Sequence, residues 1–291
     1  MQIGVLAFLT EQSGEPGAIA QEAERLGFES FWVAEHLVIP THSTTYYPRS
    51  PDGKIPEFYA HLIDPFVALA AAAQATQTIR LGTGICLLPE RNTITTAKAA
   101  ASIDLYSNGR LLFGVGAGWL PEEAEIMGVQ FPKRWQHLRE SVEALRELWT
   151  KDEASYDGEF VRFPSVKLFP KPVQKPTPPI FLGAHDRRYA LKRVARYADG
   201  WCPGGLTPEQ AKEDIPIIKQ LAREAGRDPE ALEFSVLLLS SPEGGLDGDT
   251  LKHYQEAGVT RVIMAAAQAA FRNGAEAVKQ LAPIVERAQH V

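Results

Sequence analysis

The chain has 291 residues, 45% hydrophobic and 23% charged, with a formal net charge of -6, and is long enough to bury one large core or two smaller ones. Its 23 glycines and 21 prolines are near average, which excludes a collagen or a disordered polymer. The acidic balance excludes an electrostatic nucleic-acid binder, and the two cysteines, Cys86 and Cys202, are too few for a disulfide framework and lack metal-ligand spacing.

The start, MQIGVLAFLTEQ, has neither the basic stretch nor the apolar run of a signal peptide, and no run approaches bilayer-spanning length. A reduced, cytoplasmic protein without a membrane partner is expected. Apolar runs of strand length then alternate with helical patterns. Strands are predicted over Ile3–Phe8, Phe28–Ala34, Arg80–Leu87, Leu111–Val115, Ile180–Leu182, Gly200–Cys202, Glu233–Leu239 and Arg261–Ala265. Helices are predicted over Pro16–Leu26, Asp64–Ala75 (Asp64 as N-cap), Thr95–Tyr106, Lys133–Trp149, Arg187–Tyr197, Pro208–Ala225, Thr250–Ala257 and Ala275–Ala288. The strands are apolar throughout rather than alternating, as parallel strands covered on both faces are. Eight such alternations predict one domain over residues 1–291, a (β/α)8 TIM barrel with insertions after strand 2 (Leu37–Leu62) and in the 150–179 region. An open doubly wound sheet is the alternative.

In a barrel the ends of the strands face the active site. Glu35 and His36 end the second strand, and a histidine there can hold or move a proton near neutral pH. Gly82 and Gly84 end the third strand, where a ligand can approach the backbone. Gly114, Gly116 and Gly118 follow the fourth as GxGxG; Trp119 and Leu120 then break the dinucleotide fingerprint, leaving a glycine platform with Trp119 as a wall. Gly183-Ala184-His185-Asp186 opens a helix carrying Arg187, Arg188, Lys192 and Arg193, an arrangement suited to an anion. The seven histidines are scattered, with no metal-binding spacing, and no nucleophile elbow or phosphate-binding loop is present.

Several segments in order, FWVAEHLVIP (31–40), IRLGTGICLLPERN (79–92), SNGRLLFGVGAGWLPEE (107–123), RWQHLRESVEALRELW (134–149) and KPVQKPTPPIFLGA (171–184) with YADGW (197–201), resemble the luciferase-like monooxygenase superfamily, in particular its coenzyme F420-dependent branch. The resemblance implies a TIM barrel binding F420 or FMN at its C-terminal face. It implies His36 as the catalytic histidine, and cofactor contacts from Glu35, Gly116, Gly118, Glu122 and Arg134. It further implies a cis peptide at Gly84–Ile85 behind the cofactor ring, and a phosphate turn at Gly183, Ala184 and His185. Phe8, Tyr46, Tyr47, Tyr59, His61 and Trp119 are expected around a small organic substrate. Trp119 stands where sugar-phosphate dehydrogenases of the superfamily carry a glutamate, which argues against glucose 6-phosphate. The implied activity is hydride transfer between F420 and substrate, with a homodimer expected. The alternatives are an FMN-dependent monooxygenase fed by a partner flavin reductase, a non-catalytic flavin-binding protein, and a metal-free barrel lyase or isomerase.

Overall fold

A computed structural model describes residues 1–47, 50, 52–239, 246–265 and 272–291; residues 48, 49 and 51 of the first insertion lie outside it. In chain order the elements are β1 (Gln2–Ala7), α1 (Pro16–Arg25), β2 (Ser30–Val33), α2 (Pro65–Ala75), β3 (Arg80–Thr83), β4 (Cys86–Leu87), α3 (Thr93–Tyr106), β5 (Leu111–Gly116), α4 (Pro121–Ile126), α5 (Arg134–Thr150), β6 (Ala154–Asp157), β7 (Arg162–Val166), β8 (Ile180–Leu182), α6 (Arg187–Tyr197), β9 (Gly200–Trp201), α7 (Pro208–Glu224), β10 (Glu233–Leu239), α8 (Gly248–Glu256), β11 (Arg261–Ala265) and α9 (Gly274–Ala288).

The parallel strands run in the order β3-β2-β1-β11-β10-β9-β8-β5, and a β3–β5 pairing closes the ring. This is the expected (β/α)8 barrel. Its third stave is split: β3 pairs Gly82 with Leu112, β4 pairs Cys86 with Val115, and the intervening segment carries a cis peptide at Gly84–Ile85. There β5 comes so close that a Cβ on Gly114 would sit 2.1 Å from the Thr83 carbonyl oxygen, so the position requires glycine.

Side chains alternate between lumen and wall. Leu6, Trp32, Ala34, Leu112, Phe181, Cys202, Ile263 and Ala265 fill the lumen, whereas Phe31, Val33 and Cys86 pack into the shell beneath the helices. Both thiols are buried, and burial pushes Cys202 up to about 12. At the N-terminal end the fully buried Arg261 guanidinium donates to both carboxylate oxygens of Glu29 at 2.8 Å and lies over the Phe181 ring.

The caps follow the sequence. The Asp64 side chain accepts from the N–H groups of Phe66 and Val67, and Asp186 accepts from that of Arg188. The 150–179 insertion holds an antiparallel hairpin, β6–β7, for which the sequence predicts no strands. The short helix α4 was likewise not predicted. Among the described residues no helix is long and apolar enough to cross a membrane.

Candidate active site

The alternation of β2 decides which of two neighbouring side chains enters the barrel mouth. His36 continues the lumen series Trp32, Ala34, and Glu35 continues the wall series Phe31, Val33. The Glu35 carboxylate, 4% exposed, accepts from the Leu87 N–H at 2.6 Å and from Arg91 Nε at 2.6 Å. Arg91 also donates to Asp64 at 2.6 Å and lies over the Phe66 ring. Burial pushes the Glu35 carboxyl up, against the opposing pull of Arg91 and the Leu87 N–H. Glu35 is therefore committed to the wall, tying β2 to β4 and α2, and does not face the mouth as the resemblance implied.

His36 is held from both sides. Its Nδ1 lies 2.5 Å from Glu123 Oε2, and its Nε2 accepts from the Trp119 indole N–H at 3.2 Å. Indole is a donor only, so Nε2 carries the lone pair and the ring proton sits on Nδ1, shared with Glu123. Glu123 Oε1 also accepts from the N–H groups of Leu37 (2.8 Å) and Val38 (3.3 Å). These two side chains are 5% and 1% exposed.

Glu123 was absent from the sequence reading, which named Glu122. Both lie in the first turn of α4, after Pro121, where the helix dipole favours carboxylates. The Glu122 side chain turns outward, accepting from Ser43, from Thr44 N–H and from Thr45 of the insertion at 2.8–3.0 Å. Against the upward push of burial, these bonds hold Glu122 down to about 2. Its place is in the loop anchor rather than at the mouth.

Four of the six expected substrate-side residues converge. Tyr59 lies 4.8 Å from the His36 ring, Trp119 5.7 Å from it, Tyr47 5.4 Å from Trp119, and Phe8 6.1 Å from Tyr59. The Tyr47 and Tyr59 hydroxyls are 2.8 Å apart. This aromatic cover shields His36 from solvent. The other two lie elsewhere: Tyr46 is 66% exposed and packs on Gly53, and His61 pairs at the surface with Glu11 at 2.8 Å.

The glycine positions meet at Ile85. A Cβ on Gly183 would sit 2.2 Å from Ile85 Cδ1, and one on Gly116 would sit 3.2 Å from Ile85 Cγ2. The cis Gly84–Ile85 segment is thus seated against two residues without side chains. Gly118 has φ +81, and a Cβ there would sit 2.5 Å from Glu90 Oε1. Ala184 is buried, its carbonyl accepting from Trp201 Nε1, and the exposed His185 precedes the α6 cap. Arg187 turns away to Asp214 and Glu213. Arg134 donates to the carbonyls of Gly118 and Phe131 and stacks 3.7 Å from the Phe131 ring, and Arg193 lies over Trp135. Among the described residues neither arginine has a carboxylate at ion-pair distance. Burial pulls both down, and for Arg134 the neighbouring Arg193 charge adds to it.

Replacing Glu123 with glutamine keeps the shape of the anchor but removes the carboxylate that accepts from the His36 Nδ1–H. We expect turnover to fall by about 10- to 100-fold, with the Leu37 and Val38 amides still protected in hydrogen exchange. Unchanged turnover would detach Glu123 from the chemistry.

The family model for luciferase-like monooxygenase matches residues 2–242. An uncharacterized protein of Mycobacterium tuberculosis is 37% identical over 287 residues, covering 97% of this chain and 98% of that one. An F420-dependent glucose-6-phosphate dehydrogenase of Amycolatopsis mediterranei is 28% identical over 223 residues, covering 75% of this chain and 62% of that one. The oxygenase component of a flavin-dependent trigonelline monooxygenase from Acinetobacter baylyi is 34% identical over 170 residues, covering 58% of this chain and 42% of that one.

Proposed function

The chain belongs to the luciferase-like monooxygenase family, and from that premise we propose that it is an oxidoreductase transferring hydride between coenzyme F420 and a small organic substrate, with His36 moving the accompanying proton. The observation that carries this is the Trp119–His36–Glu123 chain, which places the ring proton on Nδ1 and leaves Nε2 as the acceptor, held by the Trp119 N–H.

The residues suit such a cofactor. A flat ring needs a fixed backing, which the Gly84–Ile85 peptide would offer, its Ile85 side chain being seated against Gly116 and Gly183. An anionic phosphate and tail need cations that no carboxylate has already neutralised, and among the described residues Arg134 and Arg193 are without such an ion pair. When bound, F420 supplies the two-electron chemistry.

The chain's own residues do the rest. In the oxidation direction, His36 Nε2 takes the proton of a substrate hydroxyl, and Glu123 stabilises the imidazolium through Nδ1–H. In the reduction direction the same imidazolium returns the proton to the product oxygen. The Trp119 N–H releases Nε2 as the substrate oxygen arrives, and Tyr47, Tyr59 and Phe8 exclude water. The reading implies a single-domain, cytoplasmic homodimer.

The relative from Acinetobacter baylyi supports a second reading, an FMN-dependent monooxygenase drawing reduced flavin from a partner reductase. Titrating the purified protein separately with F420 and FMN, followed by fluorescence quenching, distinguishes them. Tight F420 binding without FMN binding is expected. FMN binding alone would transfer the assignment to the monooxygenase, and a folded protein that binds neither would remove both.

A further inference from the structure

Resting on the reading of His36 as the proton-moving group, we propose that Trp119 is the other half of an oxygen-binding site. A substrate hydroxyl inserts into the Trp119–His36 hydrogen bond, and the ligand class is an uncharged alcohol, or its carbonyl form, with an apolar body. The bond joins two groups of single capacity. The indole N–H only donates and, with the ring proton on Nδ1, Nε2 only accepts, across 3.2 Å. A group that enters between them must accept from one and donate to the other. A hydroxyl does both. An ether or a carboxylate only accepts, and would leave Nε2 without its donor.

The same pair suits the other end of the reaction. Once His36 carries both ring protons, Nε2–H and the Trp119 N–H are two donors, and a carbonyl oxygen has two lone pairs to receive them. In oxidation the substrate O–H bond breaks and its proton goes to Nε2. The hydride leaves the same carbon for oxidised F420, and the C=O bond forms with the indole N–H still on its oxygen. Reduction reverses each transfer.

The surroundings decide which half moves and what the substrate carries. Glu123 at 2.5 Å and the Tyr59 ring at 4.8 Å fix His36. An oxygen about 2.8 Å from both nitrogens therefore needs the half-buried indole to back away, until the nitrogens are roughly 4.5 Å apart. Its far side rests on Tyr47 of the insertion, at 5.4 Å. The rings beyond are apolar at their faces: Tyr59 stacks on Phe58 at 4.6 Å, and Phe8 meets Phe58 edge-on at 5.7 Å. The charged neighbours are already committed, Arg91 to Glu35 and Asp64, Arg134 to the Gly118 and Phe131 carbonyls, and Glu122 to Ser43–Thr45. A charged substrate would give up its water without gaining a counter-charge from them.

Cyclohexanol, cyclohexyl methyl ether and cyclohexanecarboxylate share one apolar body and test the assignment. Each is titrated into the full chain, with and without F420, at about pH 8, where imidazoles are mostly neutral. Nitrogen-15 NMR follows the Trp119 Nε1–H and His36 Nε2 signals. Cyclohexanol should move both along one binding curve, and the ether and the carboxylate should bind at least about tenfold more weakly. Trp119→Phe removes the N–H and keeps a ring. It should weaken cyclohexanol by about 3- to 10-fold and leave the ether within about twofold, whereas a packing role would weaken both alike. Equal affinities for alcohol and ether in the wild type, equal losses in Trp119→Phe, or an alcohol that moves neither nitrogen in either condition would overturn the proposal. Failure of F420 to bind the wild type would overturn the redox reading, while the titrations without it still decide this one.

Discussion

His36→Ala is expected to lower turnover, whether of reduced F420 with an accepted aldehyde or enone or of oxidised F420 with an accepted alcohol, by about 10²–10⁴-fold, the usual contribution of a positioned acid–base group. Affinity for F420 itself should stay within a few fold, because the ring is expected against Gly84–Ile85, Gly116 and Gly183 rather than against the imidazole. The substitution also opens space between Tyr59 and Trp119, whose rings lie 4.8 and 5.7 Å from His36. His36→Asn therefore serves as a companion that retains a polar group opposite Glu123. Both variants should lose rate; if Asn alone restored it, packing rather than proton transfer would be the role of the site. A rate unaffected in both would remove His36 from the mechanism.

Arg91→Ala should destabilise the fold by about 3–5 kcal/mol, because it leaves the Glu35 carboxylate buried without its counter-charge. Arg91 is bonded at once to Glu35 and Asp64, so the loss reaches both the β2–β4 seam and the cap of α2. Urea denaturation measures it. The double variant Glu35→Leu with Arg91→Leu should recover most of the loss, since an apolar pair often replaces a buried ion pair with little penalty. A single-variant loss below about 1 kcal/mol would mean that the seam is held by something other than this pair.

The barrel was legible because its physics is local. Strands such as Leu111–Gly116 are apolar at every position, and helix starts such as Asp64-Pro65 and Asp186 are written in the cap residues. The β6–β7 hairpin was missed because it lies outside the barrel, with mixed burial along β7 and a proline within it. α4 is only six residues long, too short for a helical period to show, although Pro121-Glu122-Glu123 is a helix-start pattern.

The site was legible where strand alternation alone decides, as at His36. It was not where helix phase decides. Glu122 and Glu123 are about 100° apart around α4, and sequence does not say which one faces inward. The His36–Glu123 contact spans 87 positions, so no local pattern announces it. Tyr46 and His61 belong to an insertion whose course no periodicity fixes.

The two adjacent glutamates of α4 hold one stretch of chain at two heights: Glu123 grips it at Leu37–Val38 and Glu122 at Ser43–Thr45. The segment from Thr45 to Phe58 therefore leaves a fixed hook and returns to a fixed aromatic seat at Tyr59. It can lengthen, shorten or change composition at a modest entropic cost without moving the proton-handling atoms below it. On the proposed reading, substrate choice and catalytic geometry would then lie in separable parts of the chain, and a library over residues 46 and 50–57 that keeps Tyr47, Phe58 and Tyr59 should vary the first while holding the second constant.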